Sequence, residues 1–254
     1  MCRPNGGAVA GLWLTLGLRE IHDTVSSEMT YPTLEQRVLK AKGSPRNVSL
    51  REELRAHTHQ QHERLHEHAC FLALFSQSLS IGAYRDLTAR LYGFYQPLDR
   101  AIGRAIAQGA ARTADYTYAE RAGYLAQDLA DLGWSAEAIE ESPRCTDVFD
   151  MVSPASLGGI LYVIEGAPLG GARLDRAARR LLAREEPTGR RFWSWCRAVG
   201  GDRWPMTNRY LEHLETEGAA VSDLRKGARD TFRLLADWLA PLDRPNPHVD
   251  TRLP

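Results

Sequence analysis

The stretch Ser49–Cys70, SLREELRAHTHQQHERLHEHAC, decides how the chain is read. Ser49 followed three residues on by Glu52 is a capping box, in which the Ser oxygen and the Glu carboxylate satisfy backbone N–H groups that a first helical turn leaves orphaned. The helix therefore starts at Leu50. At about 100° per residue, Leu50, Leu54, Thr58, Gln61, Leu65, Ala69 and Leu72 fall on one stripe, so one inward-packed helix is predicted through the whole stretch. The same stretch holds five of the eight histidines. His62 lies at the edge of the stripe. Arg51, Arg55, His59 and His66 gather around it, because offsets of three, four, seven and eleven return to nearly the same azimuth. His57 and His68 fall on the opposite flank.

A histidine in such a place is a half-buried side chain satisfied by a neighbour, or a ligand. His62-Glu63-Arg64-Leu65-His66 spells H-E-x-x-H, the zincin motif with two histidines at i, i+4. No third ligand follows at the metzincin spacing, and Arg51 and Arg55 repel a dication. Both readings stay open on these residues alone.

The chain has 254 residues, 43% of them apolar, enough to bury one full core. Its formal net charge is zero, so no global field favours nucleic acid or a membrane surface. Cys2, Cys70, Cys145 and Cys196 share no C-x-x-C spacing and read as free thiols in a reducing compartment. The apolar run Ala8–Leu18 is too short to span a bilayer, and no cleavage motif follows it, so the expected location is the cytoplasm.

Working outward, residues 1–48 mix Gly, Pro and Ser and read as a poorly ordered extension. Residues 49–242 form a helical domain, and 243–254 a tail. Ser80–Gln108 carries Ile81, Tyr84, Leu87, Leu91, Phe94, Tyr95, Leu98, Ile102 and Ile106 at helical spacing, with Pro97 placed to bend it. Tyr116–Leu132 repeats the pattern and Gly133 stops it. Gly189–Gly201, Trp204–Glu217 and Val221–Leu239 complete the set. No segment alternates like a strand, so the fold class is all-α.

Ser153–Glu186 is the second informative stretch, helical at both ends but broken by Gly166, Pro168, Gly170 and Gly171. Each interior Gly costs about 1 kcal/mol against Ala and the Pro about 3. Local rules fail in this way at sites of strain or function. Glycine supplies a kink, or a surface without side chains that a flat ligand or another helix approaches closely. Gly159, Gly166 and Gly170 are expected on one face. Neither a P-loop nor a dinucleotide fingerprint fits, since no strand precedes EGAPLGG.

Together these stretches resemble the haem oxygenase family. Leu54, Arg55, Thr58, His62 and Leu65 resemble its proximal helix, with a threonine four residues before the iron-ligating histidine. Tyr162–Gly171, YVIEGAPLGG, is similar to the kinked distal helix of the bacterial branch, especially of enzymes paired with bacteriophytochromes. The resemblance covers roughly residues 49–242. It implies a multi-helix bundle holding haem between proximal and distal helices, with His62 as axial ligand to the haem iron. It implies that Gly166 and Gly170 let the distal backbone lie over the porphyrin and confine dioxygen, with Gly171 beside them. Arg55 falls where the family binds a haem propionate and Tyr162 near the propionates or distal pocket. Arg209 and Tyr210 fall where a further propionate-facing residue lies.

The implied reaction cleaves haem to biliverdin, ferrous iron and carbon monoxide. It consumes dioxygen and electrons from an external reductase or ferredoxin, for no flavin or iron–sulfur motif is visible. A bacteriophytochrome is the implied biliverdin acceptor. One departure is Ala167, where the mammalian branch has an aspartate that orders the proton-delivering water. It keeps open a second reading, a haem carrier or sensor without turnover.

Overall fold

A computed structural model of the chain describes residues 48–109 and 116–243. Of the extension expected over residues 1–48 and the tail expected over 243–254, all but Val48 and Asp243 lie outside the described residues. In order, the elements are α1 (Leu50–His66), α2 (Ala69–Ser76), α3 (Ile81–Ala107), α4 (Ala122–Asp131), α5 (Ala136–Glu141), α6 (Val148–Met151), α7 (Leu157–Gly166), a 3-10 turn (Ala167–Gly170), α8 (Gly171–Leu182), α9 (Arg191–Thr216), α10 (Val221–Leu239) and a closing 3-10 turn (Ala240–Asp243). No strand occurs among the described residues, and none of their helices is long and apolar enough to cross a membrane.

The capping box at α1 is formed as read. The Glu52 N–H donates to Ser49 Oγ at 3.3 Å and the Ser49 N–H to Glu52 Oε2 at 3.1 Å. Leu50, Leu54 and Thr58 are buried along α1. The expected single helix, however, ends at His66, and Leu72 is 52% exposed rather than on the packed stripe. The cause is His68, which is buried instead of lying on the outer flank. Its Nδ1 accepts from the Cys70 N–H at 3.3 Å, capping α2, while its Nε2 lies 3.1 Å from the Leu239 carbonyl. A side chain that satisfies the first N–H groups of a new helix ends the old one.

α3 is the central element. Its buried face, including Tyr84, Leu87, Leu91, Phe94, Leu98 and Ile102, runs through the main core. Pro97 has no N–H, which frees the carbonyl of Gly93 one turn before it. The Cys145 N–H takes that carbonyl at 2.9 Å. Gly93 has no side chain because one would meet the Pro143 carbonyl oxygen at 2.3 Å. The proline thus docks the segment before α6 onto α3.

Aspartates fasten two further helix starts. Asp99 accepts from the Arg121 and Ala122 N–H groups, each at 2.8 Å, at the start of α4. Asp128 accepts from the N–H groups of Arg191 at 2.6 Å and Phe192 at 3.0 Å at the start of α9. α9 runs unbroken through Gly200, Gly201 and Pro205, joining two segments that the sequence reading kept apart.

A second, smaller core joins α1, α7, α9 and α10 through Leu50, Leu54, Val163, Leu211, Leu224, Ala228 and Phe232. It fixes α1 relative to the broken helix. Three described cysteines, Cys70, Cys145 and Cys196, are free and buried.

Candidate functional site

The site is built on the second half of α1. The ring of His62 lies edge-on to Phe232 of α10, with centroids 5.9 Å apart, and 4.0 Å from the ring of His66 one turn on. Its Nδ1 is 3.5 Å from Glu63 Oε1, and its side chain is one-third exposed. Burial holds the His62 imidazole below its ordinary range, although Glu63 pulls the other way. Burial and the neighbouring His62 push His66 down to about 4. Both rings are therefore neutral at pH 7, with a lone pair for a metal.

What lies near His62 follows from its neighbours. One turn before it, Thr58 Oγ1 donates to the Leu54 carbonyl at 2.8 Å and lies near enough to the Tyr162 phenol of α7 to lower its pKa. One turn after it, His66 feels the charge of Arg173 at the start of α8. α1 thus comes near Tyr162 at Thr58 and near Arg173 at His66. Arg51 and Arg55, both exposed, lie close enough to the Tyr162 phenol to act on it, against the larger effect of burial, which raises its pKa.

The glycines do not share one face as expected. A Cβ on Gly159 would sit 1.8 Å from the Leu224 carbonyl oxygen, so this glycine serves the contact between α7 and α10. A Cβ on Gly171 would meet Cys196 Cβ at 2.6 Å and the Arg197 N at 2.7 Å, which assigns its bare side to packing on α9. A Cβ on Gly166 would make only an ordinary contact, 3.4 Å from the Trp204 ring, whereas one on Gly200 would sit 2.9 Å from the Pro168 carbonyl oxygen. The close approaches at Gly171 and Gly200 thus hold the turn to α9. Gly170 alone of this group points into open space. Ala167 and Leu169 are exposed beside it.

Sequence reasoning gave Glu165 no role, yet it is fully buried and is the anchor of the turn. Its Oε1 accepts from Tyr116 Oη at 2.9 Å and Arg203 Nη2 at 2.6 Å, and its Oε2 from Arg203 Nε at 2.7 Å. Arg121 Nη2 is 2.9 Å from Oε2. Burial alone would raise the Glu165 pKa, but the Arg203 hydrogen bonds and the Arg121 charge outweigh it and hold the carboxyl below its usual range. Arg121 and Arg203 are far apart in sequence, so spacing did not connect them. The one available signal was an acidic residue inside an otherwise apolar run, LYVIEG.

Tyr210 is a correction. It is 2% exposed and stacks on Tyr116 at 5.1 Å in the main core, rather than being open to a haem propionate. Arg209 beside it is exposed, because adjacent residues of a helix diverge by about 100°. The sequence placed both at one boundary, and the helix sends them to opposite sides of it.

The arrangement fits haem. It supplies a neutral, partly exposed imidazole, a distal turn with no side chain at Gly170, and guanidinium groups for acidic substituents. An all-helical bundle with a partly exposed histidine on one helix and a glycine-containing turn that breaks another suits a haem-handling class. A model of the family described as Heme oxygenase matches residues 48–241, and the chain belongs to the haem oxygenase family. Solved structures agree in fold. A haem oxygenase from Leptospira interrogans is 19% identical with a TM-score of 0.62, the match covering 76% of this chain and 99% of that one. Haem oxygenase-1 from Synechocystis sp. PCC 6803, solved with haem, is 17% identical with a TM-score of 0.62, over 77% and 92%. Haem oxygenase-2 of the same cyanobacterium, solved with haem and NO, is 22% identical with a TM-score of 0.60, over 76% and 85%. No curated protein matches the chain by sequence.

Proposed function

We propose that the chain oxidatively cleaves haem to biliverdin, ferrous iron and carbon monoxide, using dioxygen and electrons from an external reductase or ferredoxin. The observation that supports this reading is the partly exposed imidazole of His62 on α1, in a family member whose broken second helix leaves Gly170 open to space. Haem, when bound, is both the substrate and the centre that activates dioxygen. His62 would hold the haem iron through a ring nitrogen. Arg55 and Tyr162 would orient the macrocycle by its propionates, Arg55 through paired N–H donors. The backbone from Gly166 to Gly170 would limit the space left for dioxygen. With Ala167 in the turn, protons travel over backbone carbonyls and ordered water rather than a carboxylate.

The resemblance of Tyr162–Gly171 to enzymes paired with bacteriophytochromes supports a bacteriophytochrome as the cytoplasmic acceptor of biliverdin. Ala167 equally favours one other reading, a haem carrier or sensor on the same fold.

Titrating haemin into the purified chain separates them. Wild type is expected to form a stoichiometric Soret band that His62→Ala loses. Ascorbate in air is then expected to bleach the band while a broad red absorption grows. A stable band under ascorbate establishes the carrier reading, and no specific haem binding removes both. Gly170→Leu fills open space, so thermal unfolding is expected to change little while haem affinity falls at least about tenfold, some 1.4 kcal/mol.

A further inference from the structure

The pair His62 and His66 carries more than one axial ligand requires. His66 is the last residue of α1, one turn from His62 on the same side, and Glu63 lies between them. One ligand atom from each of His62, Glu63 and His66 can be chosen so that all three lie within 4.8 Å of one another. Bonds to zinc are about 2.0–2.2 Å from imidazole nitrogen or carboxylate oxygen, so side-chain rotation brings these atoms around one ion without moving the helix. The cluster also sits in the final turn of α1, where the unsatisfied carbonyls of a helix end favour a cation. Arg55 and Arg173 stand nearby and oppose it, which sets the affinity at a moderate level rather than abolishing it. The donor set of two imidazoles and a carboxylate suits the later first-row divalent ions, not calcium or magnesium.

We propose that His62, Glu63 and His66 form a three-ligand site for a divalent transition-metal ion on the haem-free chain, mutually exclusive with haem because both use His62. The exclusion rests on the haem reading above, whereas the metal site does not. Its consequence is that such an ion at sufficient concentration holds the chain closed to haem, and haem expels the ion.

Cobalt(II) is the probe, since its visible d–d absorption reports coordination by nitrogen and oxygen. Titrated into the full-length, haem-free chain, it is expected to bind at one equivalent. His66→Ala and, separately, Glu63→Gln are each expected to weaken it at least about tenfold. The haemin Soret titration of His66→Ala should match wild type, and haemin added to the cobalt-loaded chain should erase the cobalt spectrum. No cobalt spectrum in wild type, unchanged affinity in both variants, or a cobalt spectrum that persists beneath a full Soret band would each overturn the proposal. A chain that binds cobalt through His66 but takes up no haem would overturn the proposed function and leave the metal site standing.

Discussion

Glu165→Gln is expected to destabilise the fold by about 3–5 kcal/mol, read as a lowered urea midpoint at pH 7 with an unchanged denaturant slope. The glutamate is one carboxylate facing two guanidinium groups and a phenol, with no exposure to solvent. Glutamine keeps the shape but removes the carboxylate charge facing the buried Arg121 and the partly buried Arg203, and that lost compensation is where the cost arises. The pH dependence has a definite sign. The folded carboxyl titrates below its ordinary value of 4.5, so its contribution is complete above that value and is lost as pH falls through the depressed folded value. Wild type is therefore expected to lose stability on acidification in that window more steeply than Glu165→Gln. Equal acid limbs for the two proteins would show that the network does not stabilise the fold electrostatically. Because Glu165 immediately precedes Gly166, the variant also tests whether the turn holds its place, read as a broadened or shifted Soret band.

Gly159→Ala is expected to cost about 3 kcal/mol, the upper end of the overpacking range. The added methyl would sit 1.8 Å from the Leu224 carbonyl oxygen and 2.7 Å from the Ala228 nitrogen. Both are backbone atoms, so no rotamer change relieves the contact and α7 must separate from α10. Gly103→Ala is the control. Nothing lies within 4 Å of its Cβ position, and it is expected to stabilise α3 by about 0.5–1 kcal/mol in thermal or urea melts. Similar behaviour of the two variants would remove the packing role assigned to Gly159. Since α10 also carries Phe232 against His62, a separation of α7 from α10 is further expected to weaken haem binding.

Several features were legible in the sequence because they depend on neighbours a turn apart. The start of α1 at its capping box, the whole of α10, the stop at Gly133 and the break across Gly166–Gly170 belong to this class. Features that depend on the partner across space were not. His68 ends α1 because a carbonyl 171 residues later accepts its ring N–H. Gly159 and Gly171 look alike to Gly170 along the chain, yet only the positions of α10 and α9 reveal that the first two are packing contacts. Tyr210 entered the expected site by register alone, and the rotation of α9 turned it inward onto Tyr116. Glu165 required two arginines from separate segments to make sense. Of the candidate site, the α1 half was readable and the broken second helix was readable only as a kink.

The buried cysteines bear on durability. Burial pushes the thiols of Cys70 and Cys145 up to about 11 and that of Cys196 to about 12. At neutral pH they are protonated, and the thiolate is the form that oxidants and alkylating agents attack. In the proposed reaction dioxygen and reductant meet, and partly reduced oxygen from failed coupling would find three of the chain's sulfur nucleophiles protonated inside the bundle.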